Sequence, residues 1–132
     1  MIQQASAFDT TINKEGIVIT RVRKNANIGI KEANENSIAV LRLNKGKKCP
    51  LLVDTRKIRS ITKEARDHFA MKNRSGNVNS IAILVDSPLS RVIGNFFMGL
   101  NRPKVATKLF TDEEEAMAWL RKFINAVDHE LN

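Results

Sequence analysis

The chain reads as an α/β domain: a mixed, mostly parallel sheet of about five strands with about four helices, in the order β-β-α-β-α-β-α-β-α. Three observations predict it. Apolar runs of strand length alternate with longer stretches of helical periodicity, the pattern of parallel strands joined by crossover helices. Two strand-like segments at the start are separated only by Lys14-Glu15-Gly16, a tight turn that adds an antiparallel hairpin. Turn and cap residues, such as Asp86-Ser-Pro88 and Thr111-Asp112, then stand where strands should give way to helices.

Taken in order, residues 7–13 and 16–22 are the hairpin strands. Ile17, Ile19 and Arg21 alternate with Val18, Thr20 and Val22, and either set could face the core. Asn27 can cap a first helix reaching about Asn44, with Ile30, Ala33, Asn34, Ser37, Ile38 and Leu41 on one face and Gly46 at its C-terminal end. Its many asparagines predict a peripheral position. Cys49–Asp54 is the third strand, with Pro50 near its start, where a missing donor is tolerated. Ser60 or Thr62 caps a second helix to about Arg74, in which Ala65, Phe69 and Lys72 share a face, and Ser75-Gly76-Asn77 breaks the chain.

Ser80–Val85 is an apolar fourth strand. Ser87 then serves as N-cap and Pro88 occupies the first helical position, where its missing N–H costs nothing. Leu89, Val92, Ile93, Phe96, Phe97 and Leu100 form one wide apolar face, and Pro103 stops the helix. Phe96 is assigned to the core; Phe97 and Met98 stay open between core and an exposed apolar face. Residues 104–110 are the fifth strand. The last helix opens with a capping box, Thr111 with Glu114 or Asp112 with Glu115, and buries Ala116, Trp119, Leu120, Phe123 and Ile124. Its acidic run is accounted for by capping and the helix dipole.

At 132 residues the chain is one domain, with a core spanning about 7–125, and its 42% hydrophobic and 27% charged content is that of a globular protein. No apolar run approaches the ~20 residues that span a bilayer, and residues 1–8 lack the charged and apolar regions of a secretory signal. A single cysteine, Cys49, excludes an internal disulfide and a zinc cluster and fits a reducing cytoplasm. Lys47 and Lys48 could lower its pKa, but a packing role is the simpler account. The net charge of +8 favours anionic partners. The basic residues are dispersed, however, and no nucleic-acid motif accompanies them, so nucleic acid or an anionic membrane is the alternative reading.

Catalytic patterns are sparse: no nucleophile elbow, P-loop or dinucleotide fingerprint occurs. His68 and His129 are the only histidines; His129 lies in the tail, and His68 lies beside the apolar face of the second helix with no carboxylate or cysteine at motif spacing. An enzyme using Thr62 or Ser90 as nucleophile lacks a base and ranks last. A binding site has better support, because ligands in open α/β sheets sit beyond the carboxyl ends of the strands. Asp54–Thr62, Asp86–Ser90 and Phe110–Asp112 are such ends, and the first two carry Arg56, Lys57, Arg59, Lys63, Arg66 and Arg91 beside hydroxyl caps suited to an anionic group. Each cap alone is explained by its helix; Asp54 and Asp86 would oppose an anion.

The stretch Asp86-Ser-Pro-Leu-Ser-Arg-Val-Ile-Gly-Asn-Phe-Phe97, Leu51–Asp54 with its following helix, and Phe110–Leu120 resemble an uncharacterised bacterial branch of the SpoIIAA-like proteins of the STAS superfamily, over roughly residues 7–125. The resemblance implies the fold of anti-sigma-factor antagonists. In the signalling members a phosphorylatable Ser follows an Asp at the start of the corresponding helix; counting from Asp54, those positions fall near Thr62 and Ile61, so the Asp-Ser pair is absent. Non-enzymatic binders of nucleotides and apolar ligands among its relatives imply that a small-molecule site is also open.

The sequence therefore predicts a non-enzymatic regulatory or binding module that engages a protein partner or a small anionic or apolar ligand at the carboxyl edge of the sheet, with no cofactor and no metal. The residues expected to touch it are Arg59, Ser60, Thr62, Ser87, Ser90, Arg91 and Asn95, with Phe97 and Met98 on an apolar side. A homodimer remains open if the hairpin edge or a helix face is uncovered.

Overall fold

The computed structural model describes the backbone of residues 2–4, 7–74, 78–101 and 105–131, and the side chains of residues 7–69, 78–95 and 105–124. The elements are β1 (Ile2–Gln4), β2 (Phe8–Ile12), β3 (Val18–Val22), β4 (Asn27–Ile28), α1 (Ile30–Asn44), β5 (Cys49–Asp54), β6 (Ser60–Ile61), α2 (Lys63–Arg74), β7 (Val78–Leu84), α3 (Pro88–Asn101), β8 (Ala106–Phe110) and α4 (Glu113–Leu131). Six of the strands form one sheet in the order β1-β2-β3-β5-β7-β8. The hairpin pairs are antiparallel, and β3, β5, β7 and β8 run parallel. The predicted α/β class and four helices are present, with β1 added at the hairpin edge and a separate two-stranded parallel ribbon formed by β4 and β6. Among the described residues, no helix is long and apolar enough to cross a membrane.

Period-2 alternation settles which way the strands face. Val18 and Val22, Leu51, Ile81 and Ile83 point to one side, where they pack with Ala33 and Val40 of α1, Ala65 of α2 and Ile93 of α3. Ile17, Leu52, Ala82 and Leu84 point to the other, against Ala116 and Leu120 of α4, with Ile19 partly buried beside them. Three helices thus cover one face and α4 the second. The α4 stripe is as the sequence predicts: Trp119, Phe123 and Ile124 are half-buried, Trp119 packs edge-on to Phe123 with ring centroids 4.9 Å apart, and Asp112 takes the cap.

Two helix faces differ from expectation. Asn27 does not cap α1; it pairs in β4, and Gly29 is the cap, its N–H donating to Glu32 at 2.8 Å. Nor does α1 bury the face with most aliphatic residues. Ile30, Ile38 and Leu41 are exposed, and the buried side consists of Ala33, Asn36, Ala39, Val40 and Asn44. The reason is polar: Thr10 donates to Asn36 Oδ1 at 2.6 Å, and Asn44 Nδ2 donates to Cys49 Sγ at 3.7 Å. Asn36 and Asn44 are therefore internal, although the helix reads as peripheral, while Asn34 is exposed. On α3, Ile93 is buried as expected but Leu89 and Val92 are exposed, because Gly94 brings the helix onto Leu109 and Val85 through its other side. The side chains of Phe96, Phe97, Met98 and Leu100 lie outside the described residues.

Candidate functional site

The parallel strands β3, β5, β7 and β8 end together, so the segments that follow them meet at one edge of the sheet. On the α4 side of that edge lies a four-membered charge cluster. Arg21 is on the α4 face of β3, Asp54 ends β5, Arg56 follows it, and Glu113 opens α4. Arg21 donates through Nη1 to Asp54 Oδ2 at 2.9 Å and grips Glu113 through both Nη atoms at 2.8 and 2.9 Å. Arg56 grips both Asp54 oxygens at 2.9 Å, and its Nη2 lies 3.4 Å from Glu113 Oε1. Paired donors matched to planar carboxylates are the strong form of this interaction.

Burial works to raise the Asp54 carboxyl, but the hydrogen bonds and charge of Arg56 and Arg21 outweigh it and hold the group below its ordinary value. Arg21 does the same for Glu113, assisted by the Arg56 charge. Two cations and two anions cancel, so Arg56, expected among the anion-binding residues, is already occupied. The acidic start of α4 therefore does more than cap the helix. Sequence reasoning missed this cluster, although the alternation of Ile17, Ile19 and Arg21 carried the signal once the face was known.

The other half of the edge is built by the ribbon. Asn25, with φ of 60°, donates its N–H to Lys57 O at 3.0 Å; Arg59 N–H donates to Ala26 O at 2.9 Å, and Thr62 N–H to Ile28 O at 2.9 Å. Ser60 Oγ donates to Asn27 Oδ1 at 2.6 Å. This zipper places the exposed residues Lys24, Lys57, Arg59 and Ser60 on one projection. Thr55 joins it to the next loop, since its N–H and its hydroxyl both donate to Leu84 O, at 3.1 and 2.7 Å. The loops after β5 and β7 are thus held side by side, ahead of α3.

Within this frame the expected site residues separate. Arg59, Ser60, Thr62, Arg91 and Asn95 are exposed, and neither Arg59 nor Arg91 forms an ion pair among the described residues. Thr62 Oγ1 accepts the Ala65 N–H at 3.2 Å, an ordinary helix cap. Ser87 is half-buried and its hydroxyl accepts the Ser90 N–H at 3.1 Å. Ser90 requires a correction. It is fully buried, its hydroxyl accepts the N–H groups of Asp86 and Ser87 at 3.0 Å each and donates to Ser87 O at 3.1 Å, so it fastens the turn from inside. Of the other basic residues, Lys63 pairs with Asp67 at 3.0 Å. His68 Nε2 lies 2.9 Å from Ser37 Oγ, joining α2 to α1. Cys49 is buried, and burial pushes its thiol up despite the Asn44 hydrogen bond, against the lowering suggested by Lys47 and Lys48.

The same architecture occurs in the crystal structure of an uncharacterized protein with a SpoIIAA-like fold from Shewanella loihica PV-4, of the DUF3478 family. The similarity covers 91% of this chain and 98% of that one at 14% identity, with a TM-score of 0.66. The fold is SpoIIAA-like. Comparison with curated proteins finds no match. A family model described as "Domain of unknown function (DUF7793)" matches residues 11–124.

Proposed function

The chain belongs to the DUF7793 family, and we propose that it is a non-enzymatic cytoplasmic binding module that docks an acidic protein segment on the carboxyl edge of its sheet. One observation carries the reading: the start of α3 exposes Val92 (65%) and Leu89 (41%) on the same helix as Arg91 and Asn95, next to the loop that leads to Arg59 and Ser60. Apolar side chains flanked by unpaired guanidinium groups suit a protein surface, where burial supplies affinity and charge supplies orientation. The neutralised cluster of Arg21, Asp54, Arg56 and Glu113 closes the α4 side, leaving the ribbon and α3 as the recognition half. Ser87 lies at its margin. The hydroxyls of Thr62 and Ser90 serve helix ends, which supports binding over nucleophilic catalysis.

The test is affinity capture from cells with the wild-type chain, Arg59→Ala/Arg91→Ala and Val92→Glu, each first checked for an unchanged thermal midpoint. A protein retained by the wild type and lost from both variants supports the reading. Equal recovery by all three sinks it. Binding to DNA or anionic vesicles that falls steeply with salt would favour the alternative basic-surface reading, since counterion release drives it.

A further inference from the structure

Helix α1 leaves its aliphatic side uncovered. Ile30, Ile38 and Leu41 are 51%, 45% and 38% exposed, and at about 3.6 residues per turn they fall on one face of the helix. Lys31 and Arg42, both exposed, stand beside them, and exposed Lys45 follows at the C-terminal end. None of these three cations forms an ion pair among the described residues. The acidic residues of the helix do not offset them. Glu32 turns back to accept the Gly29 N–H at 2.8 Å, and Glu35, at the margin of the face, is half-buried. Single exposed aliphatic side chains need no explanation, but three on one face bordered by cations form a patch.

We propose that this face of α1 lies against an anionic membrane surface, with Ile30, Ile38 and Leu41 entering the boundary between headgroups and acyl chains and Lys31, Arg42 and Lys45 meeting lipid phosphates. The charge pattern selects that occupant. A second copy would set one cationic face against another, which like charge opposes. Nucleic acid would use the cations and leave the aliphatic residues in water. Apart from Asn34, the face offers apolar depth and positive charge, and the basic border runs on through exposed Lys47 and Lys48. A bilayer surface asks for those two properties and for no matching pocket. Long lysine and arginine stems can follow the aliphatic side chains down while their charged ends stay at the headgroups. The face shares no residue with Arg59, Arg91 or the start of α3, so this proposal and the docking edge stand or fall separately.

The test is co-sedimentation of the wild-type chain with vesicles of phosphatidylglycerol and phosphatidylcholine in equal parts, and with phosphatidylcholine vesicles alone. Binding is expected to the mixed vesicles only, and part of it should persist at high salt because burial contributes beside charge. Lys31→Gln/Arg42→Gln should weaken it at least about tenfold, and so should Ile38→Ser/Leu41→Ser. Arg59→Ala/Arg91→Ala should bind as the wild type does, which separates this face from a basic surface at the docking edge. Each variant is first checked for an unchanged thermal midpoint. If a serine variant fails to fold, a nitroxide on Asn34→Cys decides, with Cys49 buried and out of reach of the label. On vesicle addition its collisions with oxygen should rise relative to those with a water-soluble nickel chelate, and an unchanged ratio overturns the proposal. Absence of wild-type binding, full binding by a folded Ile38→Ser/Leu41→Ser, or loss confined to Arg59→Ala/Arg91→Ala would each overturn it as well. An acidic protein that needs Ile38 and Leu41, found where the vesicles do not bind, would put a protein in the membrane's place and likewise overturn it.

Discussion

Glu113 stands in the first turn of α4, where any carboxylate complements the helix dipole, yet its oxygens are held by Arg21 and Arg56 from across the edge. The folded-state carboxyls of Asp54 and Glu113 are both lowered. Their contribution is therefore complete above the ordinary carboxyl range near about 4 and fades as pH falls through the lower folded values. Urea unfolding should give a stability that holds from neutral pH down to about 5 and declines below about 4, with a shallower decline in Asp54→Asn/Glu113→Gln. At neutral pH, Asp54→Ala should cost roughly 1–3 kcal/mol, because it removes the acceptor that both arginines share. A second residue-scale test concerns Gly94. A Cβ there would meet Leu109 Cδ2 at 2.8 Å and Val85 Cγ1 at 3.1 Å. Overpacking costs about 1–3 kcal/mol against a gain of about 1 kcal/mol in helix propensity, so Gly94→Ala should lower the thermal midpoint.

Among the elements, α1 separates what a sequence can convey from what it cannot. Its C-terminal end was legible, since Lys45 and Gly46 take the left-handed backbone beyond Asn44, but its start was not, because Asn27 pairs in β4 and Gly29 is the cap. Its orientation was not. Counting aliphatics selects Ile30, Ile38 and Leu41, whereas the helix is turned by hydrogen bonds from Asn36 and Asn44 to partners that are distant or unremarkable in sequence. Ile38→Lys should consequently change unfolding free energy by no more than about 0.5 kcal/mol, and Val40→Ala should cost roughly 1–3 kcal/mol. The reverse order in denaturant melts would return α1 to its predicted face. The strands were more legible because a period of 2 leaves two choices and apolar neighbours decide between them. The carboxyl edge was legible as a place, but not in its division: Arg21 pairs with residues 33 and 92 positions away, a distance no local pattern spans.

For the molecule as a whole, the sheet is a partition with unequal coverings, three helices on one side and α4 on the other. Cys49, buried near the start of β5, reports on the integrity of that arrangement. Its raised pKa and lack of access should slow reaction with a thiol reagent on the order of 100-fold relative to the unfolded chain. Fast labelling under native conditions would mean that β5 opens without global unfolding.

The ribbon of β4 and β6 has a further bearing on time. It joins positions 33 apart, Asn27 to Ser60, across the whole of α1 and β5. A ribbon of only two residue pairs has little to hold it closed and should open locally before the main sheet does. The amide protons of Arg59 and Thr62 should exchange with solvent deuterium sooner than those of Ile81–Leu84. Residues that lead and trail the ribbon would then have a clock of their own, running faster than the core beneath them.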